Sequence, residues 1–228
     1  THSADARYVS KIPASISDLI GRENAVAELL TLASAYRVVT LTGPGGIGKT
    51  VLASEIARSL LPSVEGDAFF IELVSLQDPN LVPTTLAQTL DLQLQGDEIS
   101  AQVVARCIGG RTMLLVVDNC EHVIDAAAAM IEALVRTCPN VTVLATNPEL
   151  LRIEGEFAYR VPPLEVPARE EATSALEHSA IQLFVARARA LQRDFADDTE
   201  KLLAIAGICR HLDGIPLAIE FAAARAAT

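Results

Sequence analysis

The feature that most restricts the fold of this chain is a series of short, almost uncharged, β-branched runs set apart by longer stretches of helical periodicity. "RVVTLTG" (37–43), "DAFFIELVSL" (67–76), "RTMLLVVD" (111–118) and "NVTVLAT" (140–146) read as buried strands, and "FAYRVPPL" (157–164) as a short fifth. After the first, Leu52, Ile56 and Leu60 recur at helical spacing ahead of Pro62. Residues 78–94 and 97–109 carry helical spacing too, with Asp97 as a candidate cap, and Val123, Ala127, Ile131 and Leu134 mark a helix closing near Cys138 and Pro139. Strands separated in this way need crossover connections. The predicted class is therefore α/β, a mostly parallel sheet covered on both faces.

Beyond "PPLEVP" the strand-like runs stop. Residues 170–192, 198–212 and 216–227 read as helices. Leu176, Ala180, Phe184, Ala188 and Leu191 form one apolar stripe, Leu202, Ile205, Cys209 and Leu212 another, and Pro216 suits a first helical turn. The expected organisation is a sheet domain over 1–166 and a small all-α domain over 167–228. The acidic run "REEA" (169–172) suits a charged helix start.

Half of the 228 residues are hydrophobic and tryptophan is absent, so the core is built from Ala, Leu, Val and Ile. The formal charge, 18 − 29 = −11, argues against this segment gripping nucleic acid by itself. Cys107, Cys120, Cys138 and Cys209 show neither C-x-x-C pairing nor zinc spacing, which predicts buried, reduced thiols of a cytoplasmic protein. No run approaches the ~18 apolar residues of a membrane span, and the start has no apolar signal core. The missing initial Met and an end in mid-helix pattern read as a piece of something longer.

The glycines after the first strand carry the chemistry. Gly43-Pro44-Gly45-Gly46-Ile47-Gly48-Lys49-Thr50, followed by Val51, fits G-x-x-x-x-G-K-[ST] at every fixed position. Glycines let successive N–H groups turn inward onto phosphate oxygens, and the following helix adds its positive end. Lys49 can reach β- and γ-phosphates, and the Thr50 hydroxyl can ligate Mg²⁺. A second half of such a site must supply a carboxylate. "LLVVDNCE" ends a strand on Asp118 at the same sheet edge, where it can hold the Mg²⁺ shell.

"LTGPGGIGKTVLASEIA", "LLVVDNCEHVIDA", "LRIEGE", "YRVPPL" and "CRHLDGIPLAIEFAAARA" together resemble the nucleotide-binding domain of STAND proteins, the signal-transduction ATPases related to NB-ARC domains. The bacterial branch, ATPases joined to DNA-binding domains in transcriptional regulators, is the nearest likeness, and it spans about residues 19–227. The resemblance implies a five-stranded sheet of order 5-1-4-3-2 and bound ATP or ADP. It places Ile20, Gly21 and Arg22 near the adenine, and it matches "GIPL" (214–217) to a motif whose Pro216 and Leu217 close over the nucleotide. A nucleotide so held would bridge the two domains. DNA would be reached only through domains outside this chain, and nucleotide-dependent self-association is a further implied property.

Two departures bear on turnover. Relatives usually read A-T-S-R after the fourth strand, whereas this chain has Ala145-Thr146-Asn147-Pro148, so the γ-phosphate-sensing arginine is missing and only Arg152 is near in sequence. Asn119 stands where many hydrolysing P-loop proteins place a second acid, with Glu121 two residues displaced. An amide cannot act as a general base, which predicts at most slow Mg²⁺-dependent ATP hydrolysis. His122 and His211 have no partners at ligand spacing and read as structural or solvated. Three functions stay open: a nucleotide-operated switch, an ATPase or kinase whose turnover is the function, and a scaffold that retains nucleotide. A lid rich in arginine, an N-K-x-D guanine motif and an L-S-G-G-Q-like signature are all absent from the sequence, which favours the first and favours adenine over guanine.

Overall fold

The computed structural model describes residues 8–14, 19–94, 99–167, 175–195 and 199–227. The chain divides into two compact units that are both discontinuous in sequence. A sheet unit gathers the described residues of Thr1–Ile16, Val26–Gly43 and Lys49–Arg160; a helical unit gathers those of Ser17–Ala25, Pro44–Gly48 and Val161–Thr228.

The sheet unit holds six parallel strands: β1 (Ser10–Lys11), β2 (Val38–Thr42), β3 (Asp67–Glu72), β4 (Met113–Asp118), β5 (Val141–Thr146) and β6 (Glu156–Arg160). Their order is β1-β3-β4-β5-β2-β6. The five runs legible in the sequence thus lie in the order 5-1-4-3-2, and the difference is a sixth strand at the β3 edge. That strand has two polar residues, too short to show any period. It is held by its backbone: the Val9 N–H donates to Asp67 Oδ1 (2.8 Å) and the Ala68 N–H to Val9 O (2.9 Å).

Helices α1 (Glu23–Ala35), α2 (Lys49–Leu60), α3 (Val82–Thr89), α4 (Ala101–Ile108) and α5 (Ile124–Thr137) accompany the strands. All six residues of β4 are buried, as expected where a parallel strand is covered on both faces. One apolar cluster joins Ile71, Leu115, Val117 and Val143 of the strands to Leu86, Val104, Ile131 and Leu134 of α3, α4 and α5. The helical stretch expected over 78–94 is broken into a 3-10 turn at Pro79–Leu81 and α3, because Pro79 and Pro83 restart the backbone. Asp97 lies outside the described residues. The cap of α4 is Ser100, whose Oγ accepts from the Val103 N–H (3.4 Å).

In the helical unit, α6 (Ser179–Leu191), α7 (Thr199–His211) and α8 (Pro216–Ala226) enclose Ala180, Phe184, Ala188, Ile205, Cys209, Ile219 and Ala223. Residues 168–174, which include the "REEA" run, lie outside the described residues. Leu176 and Leu191, the ends of the expected stripe, are exposed: Leu176 lies in a 3-10 turn ahead of α6, and Leu191 is the last residue of that helix. Gly214 enters α8 at φ +66°, and a Cβ there would stand 2.2 Å from Leu164 O. Only glycine allows that approach, which the Leu164 N–H closes by donating to Gly214 O (2.9 Å).

Candidate functional site

In the sheet unit the residues that sequence reasoning singled out meet at the carboxyl ends of β2, β4 and β5. Register puts them there. Leu41 pairs with Thr146, and Val117 with Ala145, so β4 and β5 end at one level on Asp118 and Thr146. Gly43 leaves β2 at φ +141°, and Lys49 opens α2 with its Nζ donating to Gly43 O (2.7 Å). Burial holds the Lys49 ammonium below its ordinary pKa, against the opposing pull of the Glu121 and Asp118 charges. The Thr50 hydroxyl donates to Asp118 Oδ1 (2.8 Å). Val51 follows, half exposed on the first turn of α2.

Asp118 is buried, and its Oδ1 accepts a second hydroxyl, from Thr146 (2.6 Å). The Thr146 oxygen in turn accepts the Asn119 N–H (3.0 Å). Asn119 sits in the left-handed region, at φ 60° and ψ 58°, and turns the chain sharply after the carboxylate. The same burial, with the Asp118 charge, pushes the Cys120 thiol up to about 12. Thr146 is a participant that sequence reasoning missed. Its signal was a hydroxyl at the end of an apolar strand, but only the register reveals which carboxylate it faces.

The other residues near the motifs are placed as follows. Asn147 is buried; its Nδ2 donates to Glu149 O (2.8 Å), while its Oδ1 has no hydrogen-bond partner among the described residues. Arg152 projects into solvent, 3.9 Å from Glu149. Glu121 is exposed beside His122 (3.4 Å), and His211 Nδ1 lies 2.8 Å from Gly207 O within α7.

In the helical unit three distant stretches meet: 20–22, 44–48 and 215–217. Arg22 is buried, and its guanidinium donates to Ile47 O (2.9 Å) and to Pro162 O. The Leu217 N–H donates to Gly46 O (3.2 Å), and Pro216 occupies the first turn of α8. Gly46, at φ +76°, has no room for a Cβ, which would stand 2.8 Å from Leu217 Cβ. Gly21 is equally confined, by Ser179 Cβ at 2.0 Å, and Ile20 packs against the helical core. Gly45 and Gly48 differ: a Cβ on either meets nothing within 4 Å. Pro44 and Ile47 are tied by the Ile47 N–H donating to Pro44 O (3.4 Å).

Comparison with known proteins bears on the segment that carries this strand, glycine turn, lysine and helix. The AAA-domain family profile matches residues 33–153, just over half of the chain. The chain belongs to the AAA-domain family of P-loop ATPases. An uncharacterized protein of Mycobacterium tuberculosis is 37% identical over 213 residues, covering 93% of this chain and 52% of its own length. A second protein of that organism, named "Putative HTH-type transcriptional regulator", is 39% identical over 194 residues, 85% of this chain and 21% of its own length. The AAA domain described here therefore spans about half, or less, of the curated relatives it matches. Among solved structures, a STAND protein with a tetratricopeptide repeat sensor from Pyrococcus horikoshii superposes with TM-score 0.59 at 18% identity, over 95% of this chain and 31% of that one. Cdc6p from Pyrobaculum aerophilum gives TM-score 0.58 at 15% identity, over 94% and 65%. Both share the fold.

The donor set of this AAA domain suits a nucleotide with a hard divalent cation. Thr50 and Asp118 offer oxygens only, and no group of three or more His, Cys, Asp or Glu side chains gathers among the described residues. A metal with so few protein ligands is one that keeps water and phosphate oxygens in its shell, as Mg²⁺ does. No helix among the described residues is long and apolar enough to cross a membrane.

Proposed function

We propose that this AAA domain is the ATP/ADP-binding switch of a larger transcriptional regulator of the STAND type, with slow or absent hydrolysis. In this reading the N–H groups of Gly45, Gly46, Ile47 and Gly48 receive phosphate oxygens, and Lys49 neutralises the β- and γ-phosphates. Thr50 and Asp118 hold Mg²⁺, which supplies charge neutralisation on the phosphates. Gly43, Pro44 and Val51 shape the two ends of the loop. Ile20 and Gly21 flank the adenine, while Arg22 supports the loop from behind through the Ile47 carbonyl.

The observation that carries the switch reading is the hydrogen bond from the Leu217 N–H to Gly46 O. It ties the loop to the first turn of α8, with Pro216 setting the helix start and Leu217 confining Gly46. A loop whose carbonyls are held by a helix can transmit its state to that helix when a third phosphate changes the demand on its N–H groups. Against rapid turnover stands Asn119, an amide directly after the strand-end carboxylate, with Glu121 two residues displaced and exposed beside His122. The output, DNA binding and any nucleotide-dependent self-association, would belong to the full-length protein.

The deciding experiment is chromatography of nucleotide released from the denatured protein, paired with steady-state turnover. Bound adenine nucleotide with turnover far below the ordinary ~1–1000 per second supports the switch. Rapid turnover refutes it. A Lys49→Ala variant that binds nucleotide as well as the unaltered chain would reject the phosphate loop itself.

A further inference from the structure

We infer that Thr146 is a positioning residue for the metal-facing carboxylate, and that the affinity gained from Mg²⁺ depends on its hydroxyl. The inference rests on the reading of Asp118 and Thr50 given above. Four polar groups form one line: the Asn119 N–H donates to Thr146 Oγ1 (3.0 Å), Thr146 donates to Asp118 Oδ1 (2.6 Å), and Thr50 donates to the same oxygen (2.8 Å).

Each link has one available arrangement. A threonine hydroxyl carries one proton, and here that proton is spent on the carboxylate while a lone pair takes the amide. Thr146 is 1% exposed and Asp118 5%, so water cannot easily replace either bond. Turning the hydroxyl away would take from the buried carboxylate oxygen one of its two hydroxyl donors and leave the N–H of a left-handed residue without its acceptor. The line therefore fixes the rotamer of Asp118 from behind. It fixes Thr50 as well: with the Thr50 proton aimed at Asp118 Oδ1, the remaining lone pairs of that hydroxyl point elsewhere and are free to ligate a cation. The hydrogen bonds of Thr146 among the described residues run to Asn119 and Asp118, and its influence on a metal would pass through Asp118.

A valine at this position keeps the shape and loses both bonds; a serine keeps both. The test measures affinity for a fluorescent ADP in the presence of Mg²⁺ and in EDTA, for the unaltered chain, T146V, T146S and D118N. Outer-shell partners of metal ligands typically change metal affinity 10–100-fold. T146V should lose about 10-fold in affinity with Mg²⁺ and change little in EDTA, while T146S restores the Mg²⁺-dependent gain. A T146V variant that keeps the full gain while D118N loses it overturns the role of Thr146 and leaves the metal reading standing. Equal losses with and without Mg²⁺, or no rescue by serine, also overturn it. Retention of the Mg²⁺ gain in D118N overturns the metal reading itself. Should T146V fail to fold, T146C, with a weak thiol donor of similar shape, takes its place and must show a reduced Mg²⁺ gain.

Discussion

Thr40 and Thr146 lie on the neighbouring strands β2 and β5, both sealed from solvent, and among the described residues only the Thr146 hydroxyl has hydrogen-bond partners. The Thr40 hydroxyl is completely buried and has no hydrogen-bond partner among the described residues, whereas that of Thr146 makes two bonds. Replacing each by valine is the same chemical change, yet the outcomes should have opposite signs. A buried hydroxyl without a partner costs roughly 1–3 kcal/mol in mutational terms, and an added buried methyl contributes about 0.8 kcal/mol. Allowing for imperfect fit, Thr40→Val should stabilise the protein by about 1–2 kcal/mol, or roughly 2–8 °C for a chain of this size. Thr146→Val should destabilise it by about 1–3 kcal/mol, the cost of leaving buried polar groups unsatisfied. Urea unfolding of nucleotide-stripped protein reads both, since bound nucleotide would add its own stabilisation. The urea midpoint should move up for T40V and down for T146V at constant slope. A T40V midpoint at or below that of the unaltered chain would refute the reasoning, because it would mean that the Thr40 hydroxyl is satisfied, by water or otherwise.

Other consequences follow from single residues. Nucleotide affinity should be flat near neutral pH and fall as pH rises through the lowered pKa of Lys49, since phosphate binds the protonated amine; a fall beginning only at the 10.5 of an ordinary lysine would contradict the burial of its ammonium, and a pH titration of binding decides. Folding stability should rise across the same window below 10.5, where the unfolded chain holds the proton more firmly than the folded one. A chromogenic disulfide at pH 8 should react readily with Cys107 alone of the four cysteines, because Cys120, Cys138 and Cys209 are buried and their thiols are pushed up; fast reaction of any of those three would count against the packing. Gly214→Ala should cost about 2 kcal/mol or more, as the added methyl meets the Leu164 carbonyl in a backbone region that alanine avoids; an unchanged melting temperature would contradict the close approach.

The parts of this molecule that were legible beforehand are those whose signal is periodic or local. Five strands, the helices between them and the Gly43–Thr50 loop all declare themselves in runs of a few residues, and Asp118 is recognisable as a strand-end acid. The parts that were not legible depend on pairing. β1 has two residues and exists because β3 offers a bare edge. Ser100 caps α4 through its hydroxyl, one residue before the helix starts at Ala101, a role that no apolar period announces. Arg22 donates to backbone carbonyls at Ile47 and Pro162 that lie 25 and 140 residues away in sequence, partners that no local run announces. Thr146 faces Asp118 only because β4 and β5 end level.

The division of the phosphate loop has a practical bearing on how this protein can be shortened. The stretch that defines the family, residues 33–153, carries the whole signature from Gly43 to Asp118. It contains none of Arg22, Pro162 and Leu217, the groups through which Gly46 and Ile47 are gripped. A polypeptide trimmed to those bounds would keep every letter of the motif and lose the scaffolding of its middle. Any minimal version meant to keep that scaffolding has to begin before Gly21 and run through α8.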